Sequence, residues 1–210
     1  MPIYRGTQLV TPRPGGQSVA RVYRGDRLVW QAGLPVVQIT EGTALNVAGR
    51  DQFRQALVDY GATYQTVERL PFALDVSQVQ YIRYLFQGCA ALTEVLIFDT
   101  SHILSMEGLF SGCTSLTVAP ALDTVSVGTV GTSTVANMNS MFLNCTSLTH
   151  VPDLNTANCQ RFYDMFSGCT SLTDGNVRLI GKHPNADTFR MILGSGLTRE
   201  PFFDTNGNPI

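Results

Sequence analysis

The chain has 210 residues, a hydrophobic fraction of 44%, a charged fraction of 14% and a formal net charge of −2. That balance argues against disorder and against the highly charged surface of a typical soluble enzyme, and no run approaches the roughly 18 apolar residues that span a bilayer. Thr, Ser, Asn and Gln take the place of charge, as is common in β-rich proteins and in members of large assemblies.

Taken from the start, Met1-Pro2-Ile3-Tyr4-Arg5 has neither an apolar stretch nor a small-residue cleavage site, so no secretory signal is expected. Tyr4-Arg5-Gly6-Thr7-Gln8-Leu9-Val10 is echoed by Tyr23-Arg24-Gly25-Asp26-Arg27-Leu28-Val29-Trp30. Each copy reads as strand, Gly-bearing turn and strand, which predicts two tandem hairpins joined by the Pro-rich segment 11–16. Two small hairpins make little core and need something to dock on. Residues 1–32 carry five arginines against the single acid Asp26, while the remainder is net acidic. A basic head suits an acidic partner or a solvated surface. Without Lys/Arg clusters interleaved with stacking aromatics, nucleic acid is not expected. The candidate docking residues are Tyr4, Arg5, Tyr23, Arg24, Arg27 and Trp30.

Residues 33–77 read as a linker and an N-terminal cap for a repeat region that begins at residue 78. Within them 51–61 predicts a helix, with Phe53, Ala56, Leu57 and Tyr60 on one face, Asp51 near its start and Gly61 at a left-handed stop. Leu70 to Asp75 foreshadows a strand and corner.

From residue 78 to the end the phrase Leu-Thr-x-x-Pro-x-(Leu/Phe)-(Asp/Asn)-Thr recurs. It is complete at 116–124, 148–156 and 197–205, carries Leu96 in place of proline at 92–100, and keeps only its opening at Leu172-Thr173. The Leu-Thr pairs begin at 92, 116, 148, 172 and 197, so the steps are 24, 32, 24 and 25. A period of that size marks a stacked repeat whose units bury their apolar faces against one another. Ahead of the first four Leu-Thr pairs stands Phe-x-x-Cys: Phe86 and Cys89, Phe110 and Cys113, Phe142 and Cys145, Phe166 and Cys169. Together with Leu92, Leu116, Leu148 and Leu172 these form the expected core ladder. The thiols should line the interior, without disulfides or metal; only Cys159 falls out of register and is expected to be exposed. Apolar residues every three or four positions, as in Val135-x-x-Met138-x-x-Met141-Phe142, suggest a helical stretch in each unit, followed by a short strand and a corner. The Asp or Asn before Thr is suited to accept N–H groups at the next helix start. The fold class expected is therefore an α+β repeat, a short right-handed leucine-rich-repeat-like solenoid carrying a small β-hairpin module. The eight-residue surplus at 125–132 falls in a loop that serves function or is merely tolerated.

Phe-Ser-Gly-Cys-Thr-Ser-Leu-Thr at 110–117 and 166–173, with Met-Asn-Ser-Met-Phe at 138–142, resembles the BspA-type leucine-rich repeat family over about residues 65–205. That resemblance implies a right-handed superhelix and binding rather than catalysis, as in bacterial surface proteins and adhesins. The Tyr-x-Gly-x-x-Leu-Val-Trp head resembles short modules near the N-termini of bacteriophage and prophage tail proteins. Together they imply a virion component, a minor tail or tail-tip protein present in several copies. Its head would dock on other tail or baseplate proteins, and its repeats would meet a host surface protein or glycan. A bacterial cell-surface adhesin or interaction module is the alternative.

Catalytic signals are few. His102, His150 and His183 sit in no relay or metal motif, and no nucleophile elbow, phosphate loop or zincin pattern occurs. Neither enzymatic activity nor a cofactor nor membrane insertion is expected.

Overall fold

The structure, a computed structural model, describes residues 21–24, 27–31, 34–40, 48–96, 98–124 and 137–210. The first expected hairpin, with Tyr4 and Arg5, and the surplus at 125–132 lie outside these. The second copy of the head motif forms an antiparallel pair, β1 (Arg21–Arg24) with β2 (Arg27–Gln31). Tyr23 and Arg24 lie on β1 and Arg27 and Trp30 on β2, with Val22 paired to Trp30 and Arg24 to Arg27.

Strand β3 (Val36–Gln38) pairs in parallel with β4 (Ala73–Asp75), and helix α1 (Ala48–Asp59) lies between them in the chain. Asp51 places an acid in the helix's first turn, where the backbone dipole favours negative charge. Phe53, Ala56 and Leu57 bury the inner face, while Tyr60 is exposed and only leans on Phe72 at 5.4 Å. Gly61 takes a φ of 75°. Its N–H reaches Val58 O at 2.9 Å and that of Ala62 reaches Leu57 O at 2.8 Å, a pair of bonds that ends the helix.

Beyond residue 77 the expected fold class is corrected. Among the described residues α1 is the one helix, and it precedes the repeats. The repeats consist of turns, isolated parallel bridges and the two-residue strands β5 (Leu154–Asn155), β6 (Leu179–Ile180) and β7 (Phe202–Phe203). The helix-and-strand units of a right-handed leucine-rich-repeat-like solenoid are not formed.

The reason lies in two left-handed residues per unit, four positions apart. Tyr84, Gly108, Ser140, Asp164 and Arg190 have φ between 54° and 60°; Gly88, Gly112, Asn144, Gly168 and Gly194 have φ between 58° and 75°. A left-handed residue breaks a right-handed helix, and here its own N–H points out to the following unit. The hydrogen bonds consequently alternate. Leu85, Gln87 and Cys89 donate three residues back, to Ile82, Tyr84 and Phe86, whereas Ile82, Tyr84, Phe86 and Gly88 donate to Ser105, Glu107, Leu109 and Ser111 of the following unit. The same four-bond pattern joins 106–112 to 137–143, 138–144 to 161–167, and 162–168 to 187–193, at 2.7–3.2 Å. An apolar residue every third or fourth position fits this arrangement as well as it fits a helix.

The Asp/Asn-Thr corner has a different task from helix capping. Asp75, Asp99 and Asn155 accept the N–H two residues on, closing tight turns. Thr100, Thr124 and Thr156 are buried, and their hydroxyls donate across to Asp123 O (3.0 Å), Asn155 O (2.8 Å) and Ile180 O (3.4 Å). On this side β5, β6 and β7 make a parallel sheet in that order. The chain end folds back on it, with Phe203 bridged to Pro209 and Ile210 N–H bonded to Phe202 O at 3.1 Å.

Between the turn side and the corner side lies the core. Phe86, Phe110, Phe142 and Phe166 stack at centroid spacings of 5.2, 5.6 and 5.6 Å, their planes within 8° of parallel. Fully burying each phenyl ring contributes about 1.5–3 kcal/mol, with up to about 1.5 kcal/mol more per stacked pair. At the N-terminal end Phe53 of α1 closes the column edge-on against Phe86 at 5.2 Å.

Candidate functional site

The chemistry-bearing residue types divide between interior and surface. Phe86, Cys89, Leu92, Phe110, Cys113, Leu116, Phe142, Cys145, Leu148, Phe166, Cys169 and Leu172 are all buried. Their thiols are free, and three donate along the column: Cys113 to Phe86 O at 3.2 Å, Cys145 to Phe110 O at 3.0 Å and Cys169 to Phe142 O at 2.9 Å. Burial pushes the Cys89 and Cys169 thiols up to about 12 and those of Cys113 and Cys145 well above their ordinary value, so all four stay protonated at neutral pH. A protonated thiol is neither a nucleophile nor a metal ligand. Cys159, expected at the surface, is buried too, its Sγ 3.6 Å from Arg161 O and its pKa raised to about 12 by burial. It precedes the turn that starts at Arg161 and faces the core there.

Among the described residues no group of three or more His, Cys, Asp or Glu could hold a metal ion, and no helix is long and apolar enough to cross a membrane. The histidines are dispersed: His102 Nε2 lies 2.9 Å from Val76 O, His150 is exposed, and His183 accepts the Asn185 N–H at Nδ1 over 3.1 Å.

What the turns bring together is a strip along the left-handed positions. Each unit contributes the residue that accepts an N–H from the unit before, then the left-handed residue: Glu107 and Gly108, Asn139 and Ser140, Tyr163 and Asp164, Phe189 and Arg190. Arg83 and Tyr84 hold the same places in the first unit. Glu107 is a hub: Tyr84 Oη donates to its Oε1 at 2.8 Å, Asn137 Nδ2 to its Oε2 at 3.0 Å, and Arg83 Nη1 lies 3.6 Å away. Burial and the bond to Glu107 raise the Tyr84 hydroxyl to about 12. Asn137 Oδ1 then accepts the Asn139 N–H at 2.8 Å, and Asn139 Oδ1 that of Tyr163 at 2.9 Å. Tyr163 stacks on Phe189 at 5.6 Å, while Arg190 reaches Tyr163 Oη at 3.4 Å and Asp164 at 3.1 Å. A Cβ on Gly108 would run into the Tyr84 ring, so this glycine is required by close approach as well as by its φ.

The strip sets polar and aromatic side chains in a row across successive units. Its Tyr, Arg, Asn and Glu side chains are fixed by their neighbours, and Tyr and Arg are the types that dominate recognition surfaces. Sequence reasoning passes over these residues because they fill variable positions of the repeat; Gly108, an isolated glycine inside an apolar pattern, is the one signal.

Residues 60–178, more than half of the chain, match a family model described as "Mycoplasma protein of unknown function, DUF285". The match covers the strip from Arg83 to Asp164 and leaves the head outside. No curated protein and no solved structure matches the chain.

Proposed function

The chain belongs to the DUF285 family, and from that premise we propose that it is a binding protein, without catalytic activity, whose polar-aromatic strip is displayed for recognition at a surface. The observation that carries this reading is the Arg83–Tyr84–Glu107–Asn137 network. It immobilises long polar side chains before any ligand arrives and so lowers the entropic cost of binding.

The setting we propose is a bacteriophage tail. The basic head with Tyr4, Arg5, Tyr23, Arg24, Arg27 and Trp30 docks on tail or baseplate proteins, and the repeats face a host protein or glycan. The family match begins at residue 60, which supports treating the head as a part with its own task. The resemblance of 110–117 and 166–173 to BspA-type repeats, with a family description that names a Mycoplasma protein, favours a second setting, a bacterial surface adhesin or interaction module.

Purified particles and intact cells of the producing strain, probed with an antibody to this chain, separate the two. Incorporation into tails that is lost when residues 1–32 are deleted supports the tail. Particles free of the chain, with antibody decorating whole cells, sink the tail reading. The strip itself is tested by adsorption: Tyr163→Ala together with Arg83→Ala should lower adherence at least about tenfold, the loss of two anchor residues. Unchanged adherence would remove the strip from the function.

A further inference from the structure

We propose that the edge formed by residues 188–194 is a docking site for a segment of a partner polypeptide, which joins the hydrogen-bonded ladder by presenting carbonyl oxygens at alternate residues. This goes beyond the strip described above and does not depend on it.

In each of the four inner junctions the N–H groups of four alternate residues point to one side and are met by four carbonyls of the following unit. The last unit repeats the inner geometry: Arg190 and Gly194 are left-handed with φ of 57° and 66°, and Met191, Leu193 and Ser195 donate three residues back. Its outward donors are therefore Thr188, Arg190, Ile192 and Gly194. Among the described residues none of these four N–H groups has an acceptor. Backbone donors prepared in a row and left unmatched are the template that strand-addition partners use.

The flank points the same way. Phe189 is 63% exposed and Leu193 54% exposed. One face of Phe189 is covered by the Tyr163 ring. The interior columns meanwhile end here. Ile192 stands where the phenylalanines stack, Ser195 where the cysteines sit, and Thr188 where Ile82, Met106, Met138 and Phe162 are buried. What the edge offers is backbone donors and an apolar rim, with little further core. It fits a short segment in the same turn conformation, carrying an aromatic or aliphatic residue over Phe189.

A second copy of this chain is a poor occupant. The same edge of a copy brings donors to donors. The opposite end is closed by α1, whose Arg54 Nη2 donates to Gln87 O at 3.1 Å while Phe53 covers Phe86.

The test uses the full chain with a copy of residues 161–173 joined to its C-terminus by a flexible Gly/Ser linker long enough to reach the edge. A scrambled copy on the same linker is the control. Amide hydrogen exchange is read at Thr188, Arg190, Ile192 and Gly194, with Phe166 and Gly168 as inner references. In the untethered monomer the four should exchange fast, and the tethered copy should slow them at least about tenfold, since tethering supplies millimolar effective concentration. No slowing, or equal slowing by the scrambled copy, overturns the proposal. So does protection of the four amides in the untethered monomer, because the chain would then already cover its own edge.

Discussion

The two ends of the repeat region are built from the same backbone yet finished differently. At the first unit, α1 brings Phe53 against the aromatic column and Arg54 against a carbonyl that the ladder would otherwise leave without a donor, with the guanidinium 4.0 Å from the Tyr64 ring centre. At the last unit, the column tapers through Ile192 and the donor row is uncovered. An element that stacks by a directional bond pattern has two chemically distinct ends, and a cap fitted to one cannot serve the other. The corner side ends differently again: residues 204–210 turn back over β7.

The sharpest way to break this contrast is to hollow out the column at its middle and at its open end. Phe110→Ala removes a buried ring stacked on both faces and should cost about 3–5 kcal/mol in urea unfolding. Ile192→Ala, half-buried with no unit beyond it, should cost about 1 kcal/mol. Equal losses would mean that the column does not end at Ile192. The next effect is at the closed end. Arg54→Ala strips the hydrogen bond to Gln87 O and the contact with Tyr64, and should cost about 1.5–3 kcal/mol. Arg199→Ala, an exposed side chain near the other end, should stay within about 0.5 kcal/mol. Comparable effects would show that α1 does not serve as a cap.

The mildest effect is invisible at neutral pH. Cys89, Cys159 and Cys169 have folded values raised to about 12 against an ordinary 9.0. Above pH 9 the unfolded thiols lose their protons while the folded ones keep them. Their contribution is therefore whole below pH 9 and is lost as pH climbs towards 12. Urea midpoints should be flat from pH 7 to 9 and then fall, less steeply in Cys159→Ala. Identical alkaline slopes for variant and parent would contradict the burial of that thiol.

Some of this is legible in the residues and some is not. The helix at α1 shows in the spacing of Phe53, Ala56 and Leu57 and in Gly61, because an isolated amphipathic helix has a local signature. The turns of the repeats have none. Met138, Met141 and Phe142 follow helical spacing, and nothing in the type of Tyr84, Ser140, Asp164 or Arg190 announces a left-handed backbone; in the first three it accompanies N–H bonds to carbonyls 23 to 25 positions away. The expected solenoid of helix and strand units fails for that reason. Cys159 is misplaced by sequence register because its burial depends on the same turn, and the strip escapes notice because its members share a place in space and no common residue type.

On the turn side every junction between units orients its four ladder bonds alike, and that alignment has an electrical consequence. Sixteen N–H···O=C vectors of the turn side point from the α1 side towards residue 194, outnumbering the opposed bonds between units, such as Leu104 N–H to Gln80 O and Ser115 N–H to Ala90 O. They sum, like the peptides of a helix, to a dipole with its negative pole under α1 and its positive pole at the far edge. The Arg54 guanidinium sits at the pole where a cation is favoured, and an anionic group approaching the opposite pole would be drawn in before any contact is made.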